Sequence, residues 1–101
     1  MSYTCYILYS KKLNRFYIGN THNLENRLKE HNSGESPYTS QGRPWTLLWF
    51  TSKDSFRQAE ALEFKLKNLS QSRKIKFMMK YSEGMVDQQL LLEIKNKIVS
   101  S

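Results

Sequence analysis

The sequence predicts an α+β (α/β) domain in which a small three-stranded antiparallel sheet is flanked by helices. Three observations carry that expectation. Two aromatic and β-branched runs, at residues 3–9 and 16–19, are separated by a short polar stretch. A third such run, at residues 45–51, returns after an amphipathic segment. Beyond it the apolar residues recur at helical spacing.

Residues 3–9 (Tyr-Thr-Cys-Tyr-Ile-Leu-Tyr) read as a strand, because aromatic and β-branched side chains suit a pleated surface. Residues 10–14 are turn-like, so residues 16–19 (Phe-Tyr-Ile-Gly) complete an N-terminal hairpin. Thr21 or Asn23 caps a helix running to about His31, with Gly34 just past its end, where a left-handed backbone favours glycine. Residues 35–44 form a loop containing Gly42 and Pro44. In the third strand Leu47, Leu48, Trp49 and Phe50 are continuously apolar, as for a strand covered on both faces. Ser52 or Asp54 starts a second helix reaching about Leu69, and Ser70 or Ser72 caps a third, basic helix to about Lys80. Glu83 and Gly84 break the pattern. A last helix, about residues 85–99, presents Leu90, Leu91, Ile94 and Ile98 as a packing stripe. The predicted order is β-β-α-β-α-α with an extra C-terminal helix, in one domain spanning residues 1–101. Its core covers about residues 3–80, and the C-terminal helix is an addition to it.

Composition narrows the function classes. No apolar run approaches the roughly 20 residues of a membrane helix, so no membrane association is expected. Met1-Ser2-Tyr3-Thr4 lacks the basic and apolar regions of a signal peptide, and a cytoplasmic protein is expected. The single cysteine, Cys5, fits a reducing compartment and leaves no cysteine-based zinc site. The glycines Gly19, Gly34, Gly42 and Gly84 are scattered rather than gathered in a phosphate loop, and there is no Gly-x-Ser-x-Gly elbow. Sixteen Lys and Arg against nine Asp and Glu give a net charge of +7. Six of the basic residues, and no acidic one, fall between Lys65 and Lys80. Such a field draws polyanions by counterion release without reading sequence; a solubilising surface would have the same composition.

Helix geometry singles out several residues. Leu24 and Leu28 set the stripe of the first helix, and Arg27 and His31 lie beside it, four apart and facing one way. They either snorkel and pack there or present a cation and an imidazole to a cleft. In the second helix Phe56, Ala59, Leu62, Leu66 and Leu69 define the buried arc, and Glu63 falls inside it. A carboxylate on an apolar face needs a partner, either an ion pair with Arg27 or a divalent cation. Tyr6 and Tyr17 in the hairpin either pack or use their hydroxyls to orient or deprotonate a water.

Taken together, these residues resemble the GIY-YIG nuclease superfamily, in its small single-domain bacterial branch. Thr4-Cys5-Tyr6 stands for the first half of the namesake motif, keeping only its tyrosine, and Tyr17-Ile18-Gly19 is the complete second half. The helix carrying Arg27-Leu28 and His31-Asn32, the loop and third strand with Tyr38-Thr39 and Arg43-Pro44-Trp45-Thr46-Leu47, and Glu63-Phe64 followed by Lys67-Asn68-Leu69-Ser70 extend the likeness over residues 3–80. The resemblance implies a DNA endonuclease in repair or recombination, with RNA left open as substrate and a protein partner for targeting. It implies Tyr6, Tyr17, Arg27 and His31 as catalytic residues and Glu63 as holder of one Mg²⁺ or Mn²⁺. Asn20, Lys12, Tyr38, Lys67, Arg73 and Lys74 are expected to contact nucleic acid. Some relatives carry a lysine just after the Tyr-Ile-Gly element; here Asn20 stands there, with Lys11 or Lys12 as substitutes. A catalytically weak module binding nucleic acid or protein is the alternative on the same fold.

Overall fold

A computed structural model describes residues 2–35 and 37–100 of the chain. The end residues of the expected domain, Met1 and Ser101, lie outside the described residues. Three antiparallel strands, β1 (Tyr3–Ser10), β2 (Arg15–Thr21) and β3 (Trp45–Lys53), lie in the order β2-β1-β3. Among the described residues four helices follow or intervene: α1 (Leu24–Ser33), α2 (Phe56–Lys67), α3 (Gln71–Lys80) and α4 (Gln88–Ser100). The predicted fold and element order are therefore those of the protein. Among the described residues no helix is long and apolar enough to cross a membrane.

β1 is the central strand, and residues Cys5 to Ser10 are all buried because both edges are paired and both faces covered. Its side chains alternate between two cores. Cys5, Ile7 and Tyr9 face α2, α3 and α4, with Ile18, Leu48, Leu66, Met78 and Ile94. Tyr6 and Leu8 face α1, with Trp45, Tyr17, Leu24 and Leu28. The stripe of the last helix packs as its spacing predicts, with Leu90, Leu91 and Ile94 buried and Ile98 against them.

The third strand departs from expectation. β3 is an edge strand, and its apolar run arises from a bulge rather than from double coverage. Ile7 pairs with Trp49 but Leu8 pairs with Leu47, so Leu48 is an extra residue. The bulge turns both Leu48 and Trp49 into the larger core, sends Leu47 to the other, and leaves Phe50 exposed. Helix starts are local and mostly legible. Asn23 caps α1, Ser70 caps α3, and Gly34 ends α1 at φ 84°. The cap of α2 is Ser55, one residue beyond the expected Asp54, and α2 ends at Lys67 because Ser70 already opens α3. α4 begins at Gln88, since Ser82–Gly84 forms a 3-10 turn and Met85 bridges to Trp49.

Candidate active site

The α1 face of the sheet carries a buried polar network. His31, at the end of α1, is fully buried. One ring nitrogen bonds the Tyr6 hydroxyl at 3.1 Å and the other bonds the Thr39 hydroxyl at 2.8 Å. A neutral imidazole meets both demands, donating from one nitrogen and accepting at the other. Burial and the nearby Arg27 charge push the His31 pKa down, which keeps it neutral. Asn32 next to it fixes the start of β3: its amide donates to the Trp45 carbonyl at 3.1 Å and accepts from the Trp45 amide at 2.6 Å. The Trp45 indole donates to the Thr39 carbonyl at 2.7 Å, closing the loop over His31.

Tyr6 is the hub of this network. It lies opposite Gly19 in the hairpin, and a Cβ on Gly19 would come within 2.5 Å of the Tyr6 hydroxyl. The glycine of the Tyr-Ile-Gly element is therefore required by the ring that crosses it. Burial raises the Tyr6 pKa to about 12, although the Arg27 guanidinium beside the hydroxyl pulls the other way, and Glu63 is near enough to add to the rise. Tyr6 is thus a neutral hydrogen-bonding group, buried with only 1% of its surface exposed. Arg27 does not pair with Glu63. It pairs with Glu30, three residues on, at 2.7 Å. The i, i+3 spacing was the available signal for that clamp.

Tyr17, by contrast, reaches open space. Its ring stands 4.8 Å from that of His31, 6.0 Å from Trp45 and 6.1 Å from Tyr38, centroid to centroid. It lines a groove of about 680 Å³ together with Arg15, Tyr38, Trp45, Lys67 and Lys74. Phe16, Tyr17 and Ile18 all contribute. Successive strand residues face opposite sides, so the groove wraps the unpaired edge of β2. Every ionisable side chain along it is basic or tyrosine, which makes it a place for an anion.

Glu63 connects to this groove through Lys67, which lines it. Its side chain is only 19% exposed, and both carboxylate oxygens are engaged: Lys67 approaches one at 2.7 Å and the Asn20 amide donates to the other. Glu63 itself lines a second groove of about 500 Å³ with Arg57, Phe64 and Lys67, so Lys67 borders both. Among the described residues there is no cluster of three His, Cys, Asp or Glu side chains. The donor set at this point is one carboxylate with an amide beside it. That set fits a hard cation such as Mg²⁺, which keeps most of its waters and needs few protein oxygens.

The structure thus gathers Tyr6, Tyr17, Arg27 and His31 around one centre and sets Glu63 beside it with Asn20 and Lys67. Tyr38 and Lys74 share the Tyr17 groove, although the Lys74 ammonium also donates to the Leu69 carbonyl at 2.6 Å. Lys12 sits apart in a smaller groove with Arg43, and Arg73 is exposed on α3 outside all of these grooves. Neither Lys11 nor Lys12 lines the Tyr17 groove; Lys67 does. Glu30 and Arg15 are not singled out by the sequence. Thr39 enters there only within the family-like Tyr38-Thr39 loop, because its bond to His31 depends on that loop folding back.

A family model described as the GIY-YIG catalytic domain matches residues 2–81. A UPF0213 protein of Pediococcus pentosaceus is 41% identical over 68 residues, covering 66% of this chain and 72% of its own. A UPF0213 protein of Clostridium perfringens is 35% identical over 63 residues, covering 61% and 68%. The solution structure of a UPF0213 protein of Bacillus halodurans superposes with a TM-score of 0.52 at 30% identity, over 78% of this chain and 84% of that one.

Proposed function

The chain belongs to the GIY-YIG family of nuclease domains, and on that premise we propose that it is a divalent-metal-dependent endonuclease hydrolysing phosphodiester bonds in DNA. The observation that carries this reading is the anion-seeking groove that holds Tyr17, joined to Glu63 through Lys67 on its wall. Arg15 and Lys67 would engage phosphates, and Tyr38, 86% exposed, would stack on a base. Tyr17, in the groove, would orient or deprotonate the attacking water, while Tyr6 would hold His31 and Arg27 in place. Arg27 would offset charge on the scissile phosphate, and Glu63, with Asn20 beside it, would hold one Mg²⁺ or Mn²⁺. When bound, the ion supplies Lewis-acid stabilisation of the developing charge. Water oxygen bonds to phosphorus, the bond to the 3′ oxygen breaks, and that oxygen takes up a proton.

The groove offers cations and aromatic faces rather than a set of base-edge readers. That supports cleavage directed by DNA structure or only weakly by sequence, in repair or recombination, with a protein partner supplying the address. RNA carries the same backbone and would enter the same groove. The reading places the protein in the cytoplasm. A catalytically weak binding module is the second reading, favoured by the engagement of both Glu63 oxygens. Plasmid nicking with Mg²⁺ or Mn²⁺ decides between them. The nuclease nicks supercoiled plasmid, and Glu63→Ala abolishes nicking. Salt-sensitive DNA binding without nicking in the wild type would establish the binding module instead.

A further inference from the structure

We propose that Lys67 is the placeholder cation of Glu63, so that divalent-ion binding and release of the Lys67 ammonium into the Tyr17 groove are one exchange. The inference rests on the reading of Glu63 as the metal-holding residue. Glu63 and Lys67 lie four apart on α2 with the glutamate N-terminal, the orientation in which such pairs form best. The contact is close, at 2.7 Å, but Lys67 is 54% exposed on its side chain. With its lysine end solvated, an i, i+4 pair of this kind weighs only about twofold in an equilibrium. It is therefore strong enough to keep a partly buried carboxylate satisfied and weak enough to yield to a doubly charged ion.

The position of Lys67 gives the exchange a consequence. It borders both grooves, and its hydrogen bond to Glu63 is the main cause that raises its pKa. Displaced from Glu63, the ammonium remains on the wall of the groove that takes the phosphate. The cation site and the phosphate site then fill together, since each lowers the cost of occupying the other. Asn20 serves as the fixed reference, because its amide donates to the other Glu63 oxygen.

The Asn20 side-chain amide signal in ¹⁵N NMR reports the exchange on the whole chain without any turnover. Mg²⁺ titration should move that signal in the wild type. In Lys67→Met, with competitor and like charge both gone, the midpoint should fall roughly three- to tenfold. Lys65→Met removes the same charge from the same helix, but Lys65 lies over the Phe77 ring rather than on Glu63, so its midpoint should stay within about twofold of wild type. An unchanged or raised midpoint in Lys67→Met overturns the proposal, as does an equal fall in Lys65→Met. A signal that Mg²⁺ leaves in place, or moves equally in Glu63→Gln, overturns the metal reading of Glu63 and the proposal with it.

Discussion

The two faces of the sheet are built from different materials. The face under α2, α3 and α4 is apolar, with Ile7, Ile18, Leu48, Leu66, Met78 and Ile94 in contact. The face under α1 is narrower and joined by side-chain hydrogen bonds, from Tyr6 through His31 to Thr39 and from Asn32 to Trp45. An apolar core tolerates small adjustments of its members, because dispersion and burial are not directional. A chain of hydrogen bonds does not, because each atom must meet its partner at a fixed distance and angle. The contrast teaches a division of labour. One face holds the larger apolar core, and the other sets the position of the side chains that reach the β2 edge.

The largest test of that division falls on the apolar face. Leu66→Ala removes a fully buried side chain from the larger core and should destabilise the protein by about 2–5 kcal/mol in chemical denaturation. If the division is right, whatever fraction remains folded keeps any DNA affinity of the wild type, because no groove-lining side chain is lost. A loss of affinity larger than the loss of folded protein would show that the two faces are coupled.

A smaller effect is expected on the polar face. His31→Ala strands the Tyr6 hydroxyl and the Thr39 hydroxyl and should cost about 1–3 kcal/mol. Acid should act in the same direction. The folded His31 pKa is pushed down by burial first and by Arg27 second. Between that depressed value and the ordinary value of about 6.5, the unfolded chain binds a proton that the folded chain refuses. Stability therefore falls as pH drops below about 6.5 and levels off once the folded histidine titrates. Denaturation curves across that range should show the slope in the wild type and lose the His31 part of it in His31→Ala.

The same contrast explains what was legible in the sequence. Features set by near neighbours could be read: the Asn23 and Ser70 caps, Gly34 after α1, and the stripe of α4. The inward placement of Glu63 was also legible from its position on the helix wheel, since it is largely buried. Its partner was not. Arg27 had a carboxylate three residues away and took it, leaving Glu63 to Lys67 and Asn20. The expected buried arc of α2 held at Ala59 and Leu66 but failed at Phe56, which is 49% exposed and meets Tyr3 edge-on instead. The Leu48 bulge escaped because a run of apolar residues does not reveal which one lacks a cross-strand partner. The network from Tyr6 to Thr39 depends on residues 25 and 8 apart in the chain from His31, and no local pattern encodes such closure.

The smallest effect on stability, and the sharpest on chemistry, separates the two motif tyrosines. Tyr17→Phe removes a hydroxyl from the open groove and should change stability by no more than about 0.5 kcal/mol. Tyr6→Phe removes a buried hydroxyl that His31 uses and should cost about 0.5–1.5 kcal/mol. Activity should rank the other way. If Tyr17 acts on the water, Tyr17→Phe lowers kcat with KM little changed, because the lost contact is made to the attacking group rather than to the bound backbone. Tyr6→Phe should retain part of kcat, since a buried phenol held neutral by its surroundings has no free proton-accepting role to lose. The reverse ranking, with Tyr6→Phe the more damaging to kcat, would move the chemistry from the β2 edge into the polar network. The two faces would then no longer divide positioning from reaction.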